Sequence, residues 1–264
     1  MMHAIVFPNI DPVALHLFSL EIRWYALAYI AGVMLGYLLL QRLLLKADFT
    51  LSKKAKDDII IYSVFGIVIG GRLGYVIFYD LSAVVHEPLM LFRTWNGGMS
   101  FHGGLLGVIV SMYAYTRKHM ISFLKLMDLI VCVAPIGIFL GRIANFINGE
   151  LYGNITALPW GVVFPNAGDM PRHPSQLYEA MAEGMFLFLV MQILFYFTTL
   201  RIFSGKLTGI FLCLYGIARI GVETLREPDM HLGYFFNFLT MGQILSIPLC
   251  ILGLVLIFRR ASIK

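Results

Sequence analysis

The amino-acid sequence predicts an all-α integral membrane protein with about seven transmembrane helices, its N-terminus outside and its C-terminus cytoplasmic. Three observations lead there. Of the 264 residues 59% are hydrophobic and only 13% charged, with a mean hydropathy of +0.81. A soluble domain carries about 25% charged residues, so this chain cannot cover a water-facing surface. The apolar runs are long and continuous. In lipid the backbone must satisfy itself as helix or closed barrel, and a barrel would alternate in roughly ten-residue segments. Finally, the basic residues collect in alternate connections, which sets the orientation.

A span needs about 20 mostly apolar residues. The first candidate is Trp24–Leu40, opened by Arg23-Trp24-Tyr25, whose aromatic rings suit a membrane interface. Ile59–Phe78 and Gly98–Tyr115 follow, then Phe123–Leu140, Leu177–Phe197, Leu207–Leu225 and Leu239–Phe258. An amphipathic stretch at Val13–Glu21 is expected on the membrane surface. Arg42, Lys46, Lys53, Lys54 and Lys56 follow the first span, Arg117, Lys118 and Lys125 the third, and Arg201 and Lys206 the fifth. Arg259, Arg260 and Lys264 form the tail. The alternate segments hold only Arg23, Arg93, Arg142, Arg172 and Arg226.

The whole chain, 1–264, reads as a single polytopic membrane domain without repeats. Its longest connection is an outer-side loop at about 142–176, where Pro159, Pro165, Pro171 and Pro174 suggest compact order. Met1 to Phe7 has no basic n-region, so targeting is expected through the first span rather than a cleaved signal. Cys132, Cys213 and Cys250 lie in apolar runs and read as packing residues. The net charge of +5 sits at helix ends, which suits anionic membrane lipids rather than nucleic acid. No metal motif is visible, neither His-Glu-x-x-His nor an Asp-rich run.

Charge inside a span marks a functional site by default. Tyr215, Arg219, Glu223 and Arg226 are spaced four, four and three, which puts them on one helix face. Arg219 and Glu223 can pair there, either as a structural ion pair or as an anion site whose guanidinium is oriented by a carboxylate. Arg142, Asn145 and Asn148 lie together near the end of the fourth span, just before Glu150 and Gly153. Arginine is the two-pronged reader of phosphate. The bland alternative is a snorkelling arginine with polar capping. His102 opens the third span between glycine pairs, a structural residue or a proton carrier. Arg72 sits in the second span, and Tyr25 in the first. In Arg172-His173-Pro174-Ser175-Gln176-Leu177-Tyr178-Glu179, His173 and Gln176 also fit simple loop packing; Glu183, a turn beyond Glu179, is placed to face the bundle interior. Several cations on one side of the bilayer suggest a phosphate headgroup. A lipid carrier or transporter would use the same arginines without breaking a bond. An intramembrane protease or headgroup-exchange transferase is a third reading, weakened by the absence of Gly-x-Ser-x-Gly and of an Asp-rich metal motif.

At four motifs the sequence resembles the bacterial phosphatidylglycerol–prolipoprotein diacylglyceryl transferases. They are His102-Gly103-Gly104, Gly141-Arg142 to Glu150-Leu151-Tyr152-Gly153, Arg172 to Glu179, and Tyr215 to Arg226 followed by Glu227-Pro228-Asp229. The resemblance implies transfer of the diacylglyceryl group of phosphatidylglycerol to the lipobox cysteine of a prolipoprotein signal peptide. A thioether forms and glycerol phosphate leaves, the first step of bacterial lipoprotein maturation. It further implies a bacterial cytoplasmic (inner) membrane location with the site toward the periplasm, and no cofactor. Within it His102, Arg142, Arg219 and Glu223 are the expected catalytic residues. Tyr25, Arg72, Asn145, Asn148, Glu150, Gly153, Tyr215 and Arg226 are expected to bind substrate.

Overall fold

The structure is a computed structural model that describes all residues except 1–4, 9, 19, 48, 50, 80–87, 93–97, 228–234, 236–237 and 261–264. For 20, 78, 79, 88, 90, 101 and 102 it describes the backbone alone. Arg93, Pro228, Asp229 and Lys264 therefore lie outside the described residues, as does the side chain of His102.

Seven helices occur among the described residues, one at each predicted span. They are α1 (Trp24–Lys46), α2 (Lys53–Tyr79), α3 (Phe101–Lys118), α4 (Phe123–Ile147), α5 (Ser175–Phe197), α6 (Lys206–Glu223) and α7 (Met241–Phe258). Five of them, α1, α2, α4, α5 and α7, are long and apolar enough to cross a membrane. The remaining two have 18 residues each, about 27 Å of helix. α6 carries Lys206, Arg219 and Glu223 among its apolar residues, and α3 carries Arg117 and Lys118 in its last turn. The large hydrophobic side chains left exposed on these helices, such as Ile30, Phe65, Leu189 and Leu254, form the surface expected of a protein dissolved in lipid.

Val13–Glu21, read from its sequence as an amphipathic segment, takes a form that this reading left open. It forms an antiparallel hairpin, β2 (Val13–Leu17) on β3 (Leu20–Arg23), with a bulge between Val13 and Leu15. Its valine- and leucine-rich alternation favours strand over helix. The short strand β1 (Ile5–Val6) pairs in parallel with β4 (Val162–Val163), far along the chain.

The chain divides into two compact units. One comprises Leu44–Leu126, and the other Met1–Leu43 with Met127–Lys264. In the first, α2 and α3 pack antiparallel through a glycine seam. A Cβ on Gly70 would stand 2.6 Å from Gly107 Cα, and one on Gly74 2.6 Å from Gly103 Cα. Small residues let backbones approach where lipid offers no hydrophobic drive. Gly103 thus has a packing role beside His102. At the far end of the pair, Tyr115 donates to Ala55 O at 2.9 Å, and Asp58 meets Lys118 at 3.5 Å and His119 at 3.3 Å.

In the second unit, α6 and α7 meet along Gly209, Cys213, Gly216 and Ser246, Cys250, Gly253. The three cysteines are free, and each points its sulfur at a backbone carbonyl. Asp128 of α4 is buried and caps α6 from outside that helix. It accepts from Gly205 N at 2.6 Å, Thr208 N at 2.7 Å and Thr208 Oγ1 at 2.7 Å. A carboxylate here satisfies amides that the helix start would otherwise orphan in lipid.

Candidate functional site

The site is built where the ends of α4, α5 and α6 come together in the second unit. α4 stops at Ile147 because Gly149 takes a left-handed conformation, φ +64°. Gly149 N bonds Phe146 O at 2.9 Å and Glu150 N bonds Asn145 O at 3.2 Å, the paired bonds of a Schellman ending. This turn folds Glu150 back over the helix. Asn145 Nδ2 then donates to Glu150 Oε1 at 2.8 Å, and Asn148 Nδ2 to the same oxygen at 3.3 Å. The spacing Asn145, Asn148, Glu150 is thus a local device, read from sequence as headgroup residues and seen to be mutually bonded. Gln176 Nε2 donates to Glu150 O at 2.5 Å. The other acceptors, Asn148 Oδ1 and Gln176 Oε1, are buried without a hydrogen-bond partner among the described residues.

One turn earlier on α4, Arg142 reaches α5. Its NH1 lies 3.1 Å from Glu179 Oε2 and its NH2 3.5 Å from Glu183 Oε2. Arg219 of α6 approaches the same two carboxylates from the other side. Its NH1 hydrogen-bonds Glu179 Oε1 and lies 3.6 Å from Glu183 Oε1, while its NH2 pairs with Glu223 at 2.6 Å. Arg226 NH1 is 3.3 Å from Glu179 Oε1. The i, i+4 pairing of Arg219 with Glu223 is the one foreseen. Sequence reasoning left Glu179 unassigned and placed Glu183 only loosely, although both are fully buried. They lie on a stretch of α5, Ala180–Phe186 with Glu179 just before it, that winds as π-helix. Such widened turns are frequent at functional sites. The signal available in sequence was two glutamates one turn apart in an otherwise apolar span.

Glu223 also sits against the start of α7. A Cβ added at Gly242 would stand 2.6 Å from its Cδ. The positive end of α7, closed by a Thr240–Gln243 capping box, faces this carboxylate. Tyr215 belongs to the same cluster, within electrostatic reach of Glu183, Arg219, Arg142 and Glu179. Tyr25 reaches it through Tyr29, hydroxyl to hydroxyl at 3.3 Å, and Tyr29 in turn senses Arg142 and Glu150.

The connection between α4 and α5, residues 148–174, is compact. Phe7, Val162 and Phe164 form its small core with Phe146, Tyr152 and Ala167. Arg172 stacks over Tyr152 at 4.9 Å, donates to Ala167 O and Gly153 O, and pairs with Glu227 at 2.9 Å. Gly153 bridges to Arg226, and a Cβ there would collide with Leu225 O and stand 2.7 Å from His173 Cβ. The glycine allows this loop to close on the end of α6. Burial lowers the His173 imidazole pKa, and its Nδ1 faces the Tyr178 hydroxyl 3.3 Å away.

Two predicted site residues belong to the other unit. Arg72 is buried and donates to Leu91 O at 3.1 Å and Gly98 O at 3.0 Å. His102 lies in the first turn of α3. No metal-holding group of His, Cys, Asp and Glu occurs among the described residues.

Fold and site together define a helical membrane protein that gathers three guanidiniums and three carboxylates into one cluster. The model of the prolipoprotein diacylglyceryl transferase family matches residues 12–259. A phosphatidylglycerol–prolipoprotein diacylglyceryl transferase of Ehrlichia ruminantium (strain Welgevonden) is 49% identical over 94% of this chain and 96% of its own length. The same-named proteins of Rickettsia akari and Agrobacterium fabrum are each 48% identical, over 95% and 97% of this chain and 97% and 94% of their own lengths. The chain belongs to the prolipoprotein diacylglyceryl transferase family. It is therefore a transferase of lipoprotein biosynthesis, and the carrier and protease readings fall away.

Proposed function

We propose that the chain transfers the diacylglyceryl group of phosphatidylglycerol to the lipobox cysteine of a prolipoprotein signal peptide. The observation that carries the residue assignment is the convergence of Arg142 and Arg219 on one buried point, with Glu179 between them. The cysteine sulfur attacks the glycerol carbon that bears the phosphate. A C–S bond forms, the C–O bond breaks, and the electron pair leaves on glycerol phosphate. Free thiols have a pKa of about 8.5, so attack needs a base. His102 is the proposed base that takes the thiol proton. Arg142 and Arg219 stabilise the charge gathering on that phosphate in a poorly solvated site.

Glu179 and Glu223 hold the two guanidiniums in position. Asn145, Asn148 and Glu150 accept the headgroup glycerol hydroxyls, a role supported by the unfilled acceptors at Asn148 and Gln176. Tyr25, Arg72, Gly153, Tyr215 and Arg226 shape the substrate site. No cofactor takes part, because the lipid carries its own leaving group. The seven helices cross a bacterial inner membrane as one polytopic domain, with the N-terminus and the site periplasmic and the C-terminus cytoplasmic. The basic connections support that orientation.

The test is purified protein in bilayers given phosphatidylglycerol and a lipobox peptide carrying Cys or Ser. One diacylglyceryl unit gained by the Cys peptide alone, with glycerol phosphate released, is expected. No gain on either peptide overturns the reading.

A further inference from the structure

Glu183 is the odd member of the ion cluster. Glu179 is held by three arginines, and Glu223 lies 2.6 Å from Arg219 and against the start of α7. Glu183 reaches Arg142 at only 3.5 Å and Arg219 at 3.6 Å. Its Oε1 is buried and makes no hydrogen bond among the described residues; Glu179 Oε2 and Glu223 Oε2 share that lack, but they lie 3.1 Å and 2.6 Å from a guanidinium nitrogen. The contact of Glu183 with Arg219 is too long to be a hydrogen bond. The charged and titratable groups facing it are Glu179 on its own helix, Arg142 from α4, and Arg219 and Tyr215 from α6.

This loosely held carboxylate occupies the flank of both guanidiniums that a phosphate needs. Arg142 already spends NH1 on Glu179, and the nitrogen it turns to Glu183 is NH2. With all six side chains ionised the cluster carries no net charge. A phosphodiester arriving there adds one negative charge in a place shielded from water, and like charges cannot share the site.

We propose that Glu183 is a displaceable counter-ion: the phosphodiester takes its place on Arg142 and Arg219, and Glu183 binds one proton from water as they part. This rests on the phosphate assignment of those two arginines. The exchange makes only a carboxyl O–H bond and conserves charge: one anion enters and one is neutralised. When glycerol phosphate has formed, loss of that proton restores the carboxylate and drives the product off. Glu179 and Glu223 stay ionised throughout and keep the guanidiniums in place.

Binding of short-chain phosphatidylglycerol to the protein in nanodiscs, followed by calorimetry in buffers of different ionisation enthalpy, tests this. The lipid's phosphodiester does not titrate near neutral pH, so any proton uptake is the protein's. The wild type is expected to take up close to one proton per lipid, its affinity falling about tenfold per pH unit above neutrality. Glu183→Gln is expected to bind about tenfold tighter at the alkaline end and to take up none, whereas Glu183→Asp keeps the uptake. No uptake by the wild type overturns the proposal without any variant. So does a Glu183→Gln protein that binds more weakly, or whose uptake is unchanged. Arg142→Ala is the separate control: if it binds the lipid as well as wild type, the phosphate assignment itself fails.

Discussion

Between α2 and α3 the helices meet where side chains are missing. Between α4, α5 and α6 they meet through some of the longest charged side chains of the chain. Both contacts are buried in an apolar molecule, yet they depend on different things. The glycine seam depends on shape: backbone touches backbone, with Gly70 against Gly107 and Gly74 against Gly103. The ionic cluster depends on sum and geometry, since a buried charge is tolerated only while its partners stay within reach. The first can be broken by one carbon atom. The second can lose function through a change of one hydrogen-bonding group and still fold.

The harshest break is therefore in the seam. Gly70→Val places branched carbon in the α3 backbone, and a loss above about 3 kcal/mol is expected, seen as failure to recover folded protein from membranes. Gly104, one residue beyond Gly103, sharpens the point. A Cβ there would meet its nearest atom, Ile67 O, at 3.6 Å.

In the cluster the expected effect is on turnover. Arg142→Ala should lower transfer by about 100- to 1000-fold while the protein still folds, read from diacylglyceryl gain on a lipobox peptide. Arg219 is shared by three carboxylates, so Arg219→Ala removes support from all of them and lowers stability as well as transfer. Arg219→Lys keeps the charge but loses the fork, and a clear fall in transfer with little change in melting temperature is expected. Asp128→Ala leaves the α6 amides and Thr208 without their acceptor. A loss of about 1–3 kcal/mol, measured by thermal unfolding in detergent, should follow with transfer retained in the folded fraction. The smallest change belongs to Gly104→Ala, within about 0.5 kcal/mol of wild type on the same scale.

What the sequence discloses about each region follows the distance between partners. The helices are legible because an apolar run is a local property. Arg219 with Glu223 is legible because four residues make one helical turn. Asn145, Asn148 and Glu150 were legible as a group, although not the Schellman turn that joins them. Glu179 is a different matter. Its partners lie on two other helices, about 40 residues away in each direction, and no periodicity links them. The π-helical winding that aims Glu183 leaves no mark in the composition of α5. Asp128 is not singled out by the sequence, because its partners Gly205 and Thr208 lie about 80 residues further along the chain. The hairpin at Val13–Arg23 was not foreseen, because amphipathic character alone does not distinguish a strand pair from a helix.

The pairing of β1 with β4 also sets an order in time. Ile5 and Val6 are made long before their partners, Val162 and Val163. That ribbon cannot form until the chain through α4 has been made. Closure of Gly153 on Arg226 must wait longer, for the end of α6. During synthesis Arg142 is thus made well before Glu179, and for that interval its guanidinium has none of its final partners. The ion cluster is among the parts of the molecule completed late.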